Sequence, residues 1–163
     1  MEYIQESKDE PEDAVCIFCR IRDGKESERV LARSDHGYAV LNKFPYSPGH
    51  ILVIPDRHVG DLEELEDRES LGLQRLVARS VRALVDEYAP HGFNIGMNLG
   101  RVAGAGVPDH LHWHVVPRWS ADTSFMPVVG QTIVLPELLA ETARRLAPRF
   151  EGGSADPDGR REG

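Results

Sequence analysis

Residues 110–119, HLHWHVVPRW, place histidines at positions 110, 112 and 114. In an extended segment, side chains two apart lie on one face, about 6.6 Å from one another. His110, His112 and His114 then share one face, and Leu111, Trp113 and Val115 share the other. Exposed strand faces usually mix Thr, Lys, Glu and Ser, and three neighbouring imidazoles cannot all be buried and protonated without mutual repulsion. Two chemistries account for the pattern. His-x-His offers two nitrogens to a metal such as zinc, whereas a neutral imidazole can attack an electrophile while its neighbours orient it or hold developing charge. The upstream loop favours the second. There Asn98, Gly100, Gly104, Ala105 and Gly106 offer an amide and several backbone N–H groups with little steric cover, which suits a phosphate. Cys16 and Cys19 form a Cys-x-x-Cys pair whose spacing alone leaves metal ligation, redox pairing and inert thiols open.

These groups need a scaffold. Arg29 to Ser34, Tyr38 to Asn42 and Ile51 to Ile54 are short apolar runs separated by Asp-His-Gly and Pro-Tyr-Ser-Pro-Gly, the punctuation of a β-meander. Leu73, Leu76, Val77, Val81, Leu84, Val85 and Tyr88 fall at helical spacing, which predicts one amphipathic helix over Asp67 to Tyr88, ended by Pro90 and Gly92. Phe93 to Asn98 and His110 to Val116 read as two further strands, and Pro136 to Leu146 as a C-terminal helix with proline in its first turn. The order is that of an α+β domain with a mostly antiparallel sheet. Residues 1–13 are acid-rich and residues 149–163 are rich in glycine and charge, so both read as disordered tails around one domain over 14–148.

The composition narrows the chemistry. A chain of 163 residues, 40% hydrophobic and 28% charged, suffices for one domain with a real core. A net charge of −8 argues against binding long nucleic acid, so any phosphate should sit on a small molecule. The polar, acidic N-terminus and the lack of a long apolar run point to a cytoplasmic protein without a membrane partner.

HLHWHVV at 110–116 matches the histidine triad pattern, and AVLNKFPYSPGHILVIPDRH, 39–58, resembles the other signature of the histidine triad (HIT) superfamily. The resemblance spans roughly residues 14–146. It implies a HIT-like fold, a mostly antiparallel five-stranded sheet packed with one long helix and a C-terminal helix. It also implies a nucleotide hydrolase or transferase that cuts at the α-phosphate through a covalent nucleotidyl-histidine. By the same resemblance His112 is the nucleophile, its far nitrogen bonded to a backbone carbonyl of its own segment. His114 contacts phosphate, and His50 faces the triad. Asn98 and the loop Gly104, Ala105, Gly106 and Val107 serve the phosphate, Asn42 the ribose, and Phe44 the base. His110 completes the catalytic triad and, with Cys16, Cys19 and His58, matches a structural Cys₂His₂ zinc site, closed to catalysis. A homodimer through the long helix and an edge strand is implied as well.

The longer stretch NLGRVAGAGVPDHLHWHVVPRW, with Trp119 and nearby Asp122, resembles a prokaryotic branch of the superfamily that includes diadenosine tetraphosphate phosphorylases. The substrate expected is a dinucleoside polyphosphate, with phosphate or water resolving the intermediate. Arg118 is either a ligand for the polyphosphate chain or a surface residue in a turn. The loop Ala103-Gly104-Ala105-Gly106-Val107 departs from the commoner Ala-Gly-Gln-Ser or Ala-Gly-Gln-Thr, and so lacks side chains that elsewhere help the leaving group. That departure counts against the main enzymatic alternative, a nucleoside phosphoramidase or nucleoside monophosphate hydrolase. A non-catalytic nucleotide-binding regulator is the reading from another class.

Overall fold

A computed structural model describes residues 16–120, 122 and 138–151. The apolar runs become five strands, β1 (Val30–Arg33), β2 (Gly37–Leu41), β3 (Ile51–Pro55), β4 (Gly92–Gly96) and β5 (Trp113–Arg118). They form one sheet in the order β1-β2-β3-β5-β4, and every neighbouring pair is antiparallel. Among the described residues, three α-helices accompany the sheet: α1 (Ile17–Arg22), α2 (Asp67–Tyr88) and α3 (Leu139–Glu151). Helix α2 has the span its periodicity predicts. It begins with a reciprocal capping box between Glu66 and Glu69, and ends on Ala89 in the left-handed conformation.

The two faces of the sheet carry separate cores. Alternation puts Leu41, Ile51, Val53, Trp113 and Val115 against Leu73, Leu76 and Leu84 of α2 and Leu146 and Phe150 of α3. Tyr38, Val40, Leu52 and Ile54 meet Phe18 and Ile21 of α1 on the opposite face. Gly49 is one glycine that geometry demands. Its φ is +76°, and a Cβ there would stand 2.7 Å from Leu84 Cδ2, so the loop before His50 is clamped onto α2.

Several boundaries differ from the sequence pattern, and three of them bear on the site or the core. The last strand begins at Trp113 rather than His110. Pro55 has no N–H to extend the β3·β5 ladder, and its carbonyl instead accepts from His110 Nε2 at 2.9 Å, while the Leu111 N–H turns to the Val59 carbonyl at 2.8 Å. Strand β4 stops at Gly96, which leaves Asn98 in the following loop. Helix α3 runs through Pro148 to Glu151, past the domain end expected at 148, because Phe150 is buried in the main core and Arg149 pairs with Glu87 at 3.0 Å. Pro136 lies outside the described residues, as do most of both expected tails.

Candidate active site and metal centre

Although the ladder starts only at Trp113, residues 110–112 keep the alternation of an extended chain. Leu111 joins the core with Trp113 and Val115, while His110 and His112 pack against Phe18 on the other face, with ring centroids 5.5 and 5.0 Å away. The three histidines nevertheless divide into two environments.

His110 belongs to the first. Its Nε2 faces the Pro55 carbonyl, so Nε2 carries the proton and the Nδ1 lone pair points the other way. There it meets Cys16 Sγ at 3.3 Å and Cys19 Sγ at 3.7 Å, and His58 Nδ1 stands 3.4 Å from Cys19 Sγ. The ligand atoms of Cys16, Cys19, His58 and His110 all lie within 4.8 Å of one another. Two sulfurs and two imidazole nitrogens at this spacing suit a tetrahedral metal ion, and the carbonyl behind His110 fixes its ring as an outer partner of a ligand should. The cluster can hold a metal ion. Helix α1 supplies Cys19 and is preceded by Cys16, so a bound ion would tie this N-terminal segment to the stretch that carries the three histidines.

His112, His114 and His50 form the second environment, and their hydrogen bonds assign the ring protons. His112 Nδ1 lies 2.9 Å from the His110 carbonyl, so Nδ1 donates and the Nε2 lone pair is left without a partner among the described residues. The Tyr46 backbone N–H donates to His50 Nδ1 at 3.1 Å, and the Asn42 amide nitrogen approaches the same atom at 3.3 Å. His50 therefore holds its proton on Nε2, which donates to His114 Nδ1 at 2.9 Å. His114 must in turn be protonated at Nε2. That nitrogen is the one buried side-chain N or O among the described residues with no partner. A buried donor of this kind costs stability unless a ligand completes it.

Burial keeps these rings neutral. It pushes the pKa of His50 down to about 3, helped by His114 and His112, and that of His114 to about 4, helped by His112. The pKa of His112 is lowered by burial as well, against the opposing pull of the His110 carbonyl. The site thus presents a neutral imidazole nitrogen with a free lone pair beside a neutral imidazole N–H with no acceptor. This pair can attack an electrophilic phosphorus and stabilise charge on its oxygens.

The remaining expected residues are placed unevenly. In the loop upstream, the N–H groups of Gly104 and Ala105 are spent on the carbonyls of Arg101 and Gly100, at 3.0 and 3.2 Å. Those of Gly106 and Val107 have no partner among the described residues, so these are the two donors on offer. Asn98 lends its amide N–H to the Gly104 carbonyl at 3.4 Å and keeps its oxygen free. Asn42 is an organiser of its own loop, since its oxygen accepts the Phe44 N–H at 3.1 Å and its nitrogen turns to His50. Phe44 is 59% exposed at the rim.

Arg118 stands apart. Its guanidinium grips Asp122 through two bonds of 2.6 and 2.7 Å and reaches Asn94 Oδ1 at 2.9 Å, so the geometry favours the turn-residue reading. Two aromatic residues at the site escaped sequence reasoning. The Tyr46 ring is tilted against His50, with centroids 4.8 Å apart, and stacked with His114 at 6.0 Å, inside a Pro-Tyr-Ser-Pro-Gly run that reads only as a turn. Phe18 sits between the two cysteines, where metal-ligand spacing draws the eye to its neighbours.

Comparison with known proteins agrees with this geometry. Over 125 residues the chain is 47% identical to the AP-4-A phosphorylase of Mycobacterium tuberculosis, which covers 77% of this chain but only 64% of that relative's length. It is 36% identical to the adenosine 5'-monophosphoramidase of Schizosaccharomyces pombe over 63% of this chain and 74% of that protein. A Zn-bound histidine triad family protein from Mycobacterium smegmatis shares its fold with a TM-score of 0.70 and 30% identity, covering 83% of this chain and 93% of that one. The HIT domain model matches residues 23–121, and the chain belongs to the HIT domain family.

Proposed function

We propose that this protein is a dinucleoside polyphosphate phosphorylase or hydrolase acting on diadenosine tetraphosphate. The observation that carries the reading is the paired protonation of the site. His112 is held as the Nδ1–H tautomer by the His110 carbonyl, and beside it the His114 Nε2–H has no acceptor. His112 Nε2 attacks the α-phosphorus, the bond from phosphorus to the bridging oxygen breaks, and ATP departs with that electron pair. An adenylyl group is left on His112. An oxygen of inorganic phosphate then attacks the same phosphorus, the P–N bond breaks back onto His112, and ADP is released; with water as acceptor the product is AMP.

Charge that builds on the phosphoryl oxygens is met by the His114 Nε2–H and by the N–H groups of Gly106 and Val107. His50, fixed by the Tyr46 N–H, orients His114. Asn98 contacts the phosphate, and Asn42 and Phe44 border the nucleoside. The identity with the AP-4-A phosphorylase supports this substrate class. The relative named as a monophosphoramidase supports the second reading, a nucleoside phosphoramidase.

The metal in this account is zinc, which the Cys₂His₂ donor set suits, and its work is structural. Cys16 and Cys19 form no disulfide, which fits a cytoplasmic setting where cysteines stay reduced and able to hold a metal. The working form is a homodimer, consistent with an edge of β4 that no strand among the described residues pairs and with the exposure of Ile95 on it, and light scattering in solution tests that state. The substrate test is incubation with diadenosine tetraphosphate with and without inorganic phosphate. ADP plus ATP only in the presence of phosphate supports the phosphorylase. AMP plus ATP supports the hydrolase, and cleavage of adenosine phosphoramidate alone supports the second reading.

A further inference from the structure

Away from the histidines, the described residues enclose a second concavity of about 370 Å³ between the β1–β2 turn and the outer side of α2. The sheet and α2 separate the two places. Leu73 and Leu76 of α2 pack on Trp113 and Val115, whose neighbours His112 and His114 point to the opposite face.

The cleft is built from features that a helix does not adopt for its own stability. Gly72 lies in the interior of α2, where glycine is less stable than alanine. It accommodates His36, which packs close against the helix there: a Cβ at position 72 would stand 2.7 Å from His36 Cδ2. Around this floor, α2 projects Arg68, Arg75 and Arg79 into one lining. Arg75 and Arg79 are four residues apart, a like-charge pair that weakens a helix. The helical neighbours of Arg75 are Leu71, Gly72, Ala78 and Arg79, so none offers a carboxylate.

The guanidinium groups are only partly answered. Arg68 pairs with Glu66 at 2.8 Å, and Arg79 reaches the Phe150 carbonyl at 3.1 Å while its guanidinium lies over the Phe150 ring. Arg75 has no hydrogen bond or ion pair among the described residues. Among the described residues Asp35 is the single acid in the lining, and it is exposed. In a chain with a net charge of −8, this is a concentrated cationic concavity held in shape by a glycine and a histidine.

We propose that the cleft binds a phosphate-bearing small anion, the phosphate chain of a nucleotide or an inorganic polyphosphate, through Arg68, Arg75 and Arg79. Planar guanidinium forks match phosphate oxygens, and 370 Å³ is room for a phosphate chain. This site stands independently of the reaction proposed for the histidines.

The test is a titration of the isotopically labelled full chain, followed by the backbone amides of Gly72 and His36 and the Arg75 Nε–H. The probes are inorganic tripolyphosphate, ATP and an oligoglutamate peptide. Saturable shifts of those three signals with tripolyphosphate are expected. Arg75→Gln should weaken that binding about tenfold or more, with turnover and melting temperature unchanged, because it removes one charged hydrogen-bonding partner. ATP binding more tightly than tripolyphosphate assigns the site to nucleotides, and equal binding assigns it to the bare phosphate chain. Three results would overturn the proposal: no saturable shift at Gly72 and His36, an affinity unaffected by Arg75→Gln, or oligoglutamate binding as tightly as tripolyphosphate.

Discussion

His110 and His112 are two residues apart, both buried, and both touch Phe18, yet their rings are wired in opposite senses. His110 bonds a carbonyl through Nε2 and presents Nδ1 to two sulfurs, whereas His112 bonds a carbonyl through Nδ1 and leaves Nε2 for chemistry. The carbonyl that each ring meets decides its tautomer, and the tautomer decides whether the ring suits a metal or an electrophile. Alternation gave both residues to one face. The carbonyls of Pro55 and of His110 itself separate their work.

That comparison can be broken most severely at His112. His112→Asn should keep the fold and lower turnover roughly 10⁴-fold or more, as loss of a nucleophile does; steady-state kinetics and a melting curve check both halves. At the metal cluster the pattern should invert. Cys16→Ser should cost on the order of 3 kcal/mol of stability and the bound metal, while the protein that remains folded keeps its turnover. Metal analysis with denaturant unfolding decides this, and an unchanged metal content would remove the cluster from the account.

A smaller effect should follow at His50. His50→Phe removes the donor that orients His114 and should lower kcat about 100-fold with little change in KM, a split that a merely structural residue would not show. The same wiring has a pH signature. The pKa values of His50 and His114 fall from 6.5 to about 3 and about 4, so below pH 6.5 the unfolded chain takes up protons that the folded one refuses. Stability contributed by these neutral rings should therefore decline as pH falls from 6.5 towards 4, and His50→Phe should flatten that slope.

The mildest effect should come from outside both regions. Glu69, bonded to Arg57 and the Glu66 N–H, is held at about 2 against an ordinary 4.5, so its contribution is present above pH 4.5 and lost as pH falls towards 2. Glu69→Gln should lower stability by a constant amount above pH 4.5 and flatten the decline between pH 4.5 and 2 in a pH series of unfolding curves.

Much of this was legible in the sequence, because periodicity is a local property. The span of α2 follows from its apolar spacing, and the partition of residues 110–116 between two faces follows from alternation. The four metal-cluster residues came from resemblance, since nothing local links Cys16 to His110 across 94 positions. What sequence could not show were contacts made by the backbone. The Tyr46 N–H on His50, the Pro55 carbonyl on His110, and the loop bonds that consume the N–H groups of Gly104 and Ala105 depend on tertiary placement. The choice between the two readings of Arg118 stayed open for a related reason, since Asn94 and Asp122 meet its guanidinium only through the β4·β5 pairing and the turn beyond it.

The most direct test of the central claim is mass spectrometry of protein quenched during turnover of diadenosine tetraphosphate in phosphate-free buffer. A single adenylyl group on the peptide that contains His112, absent in His112→Asn, is the result the account predicts. Full turnover with no adduct at any quench time, or an adduct mapped to another residue, would contradict it.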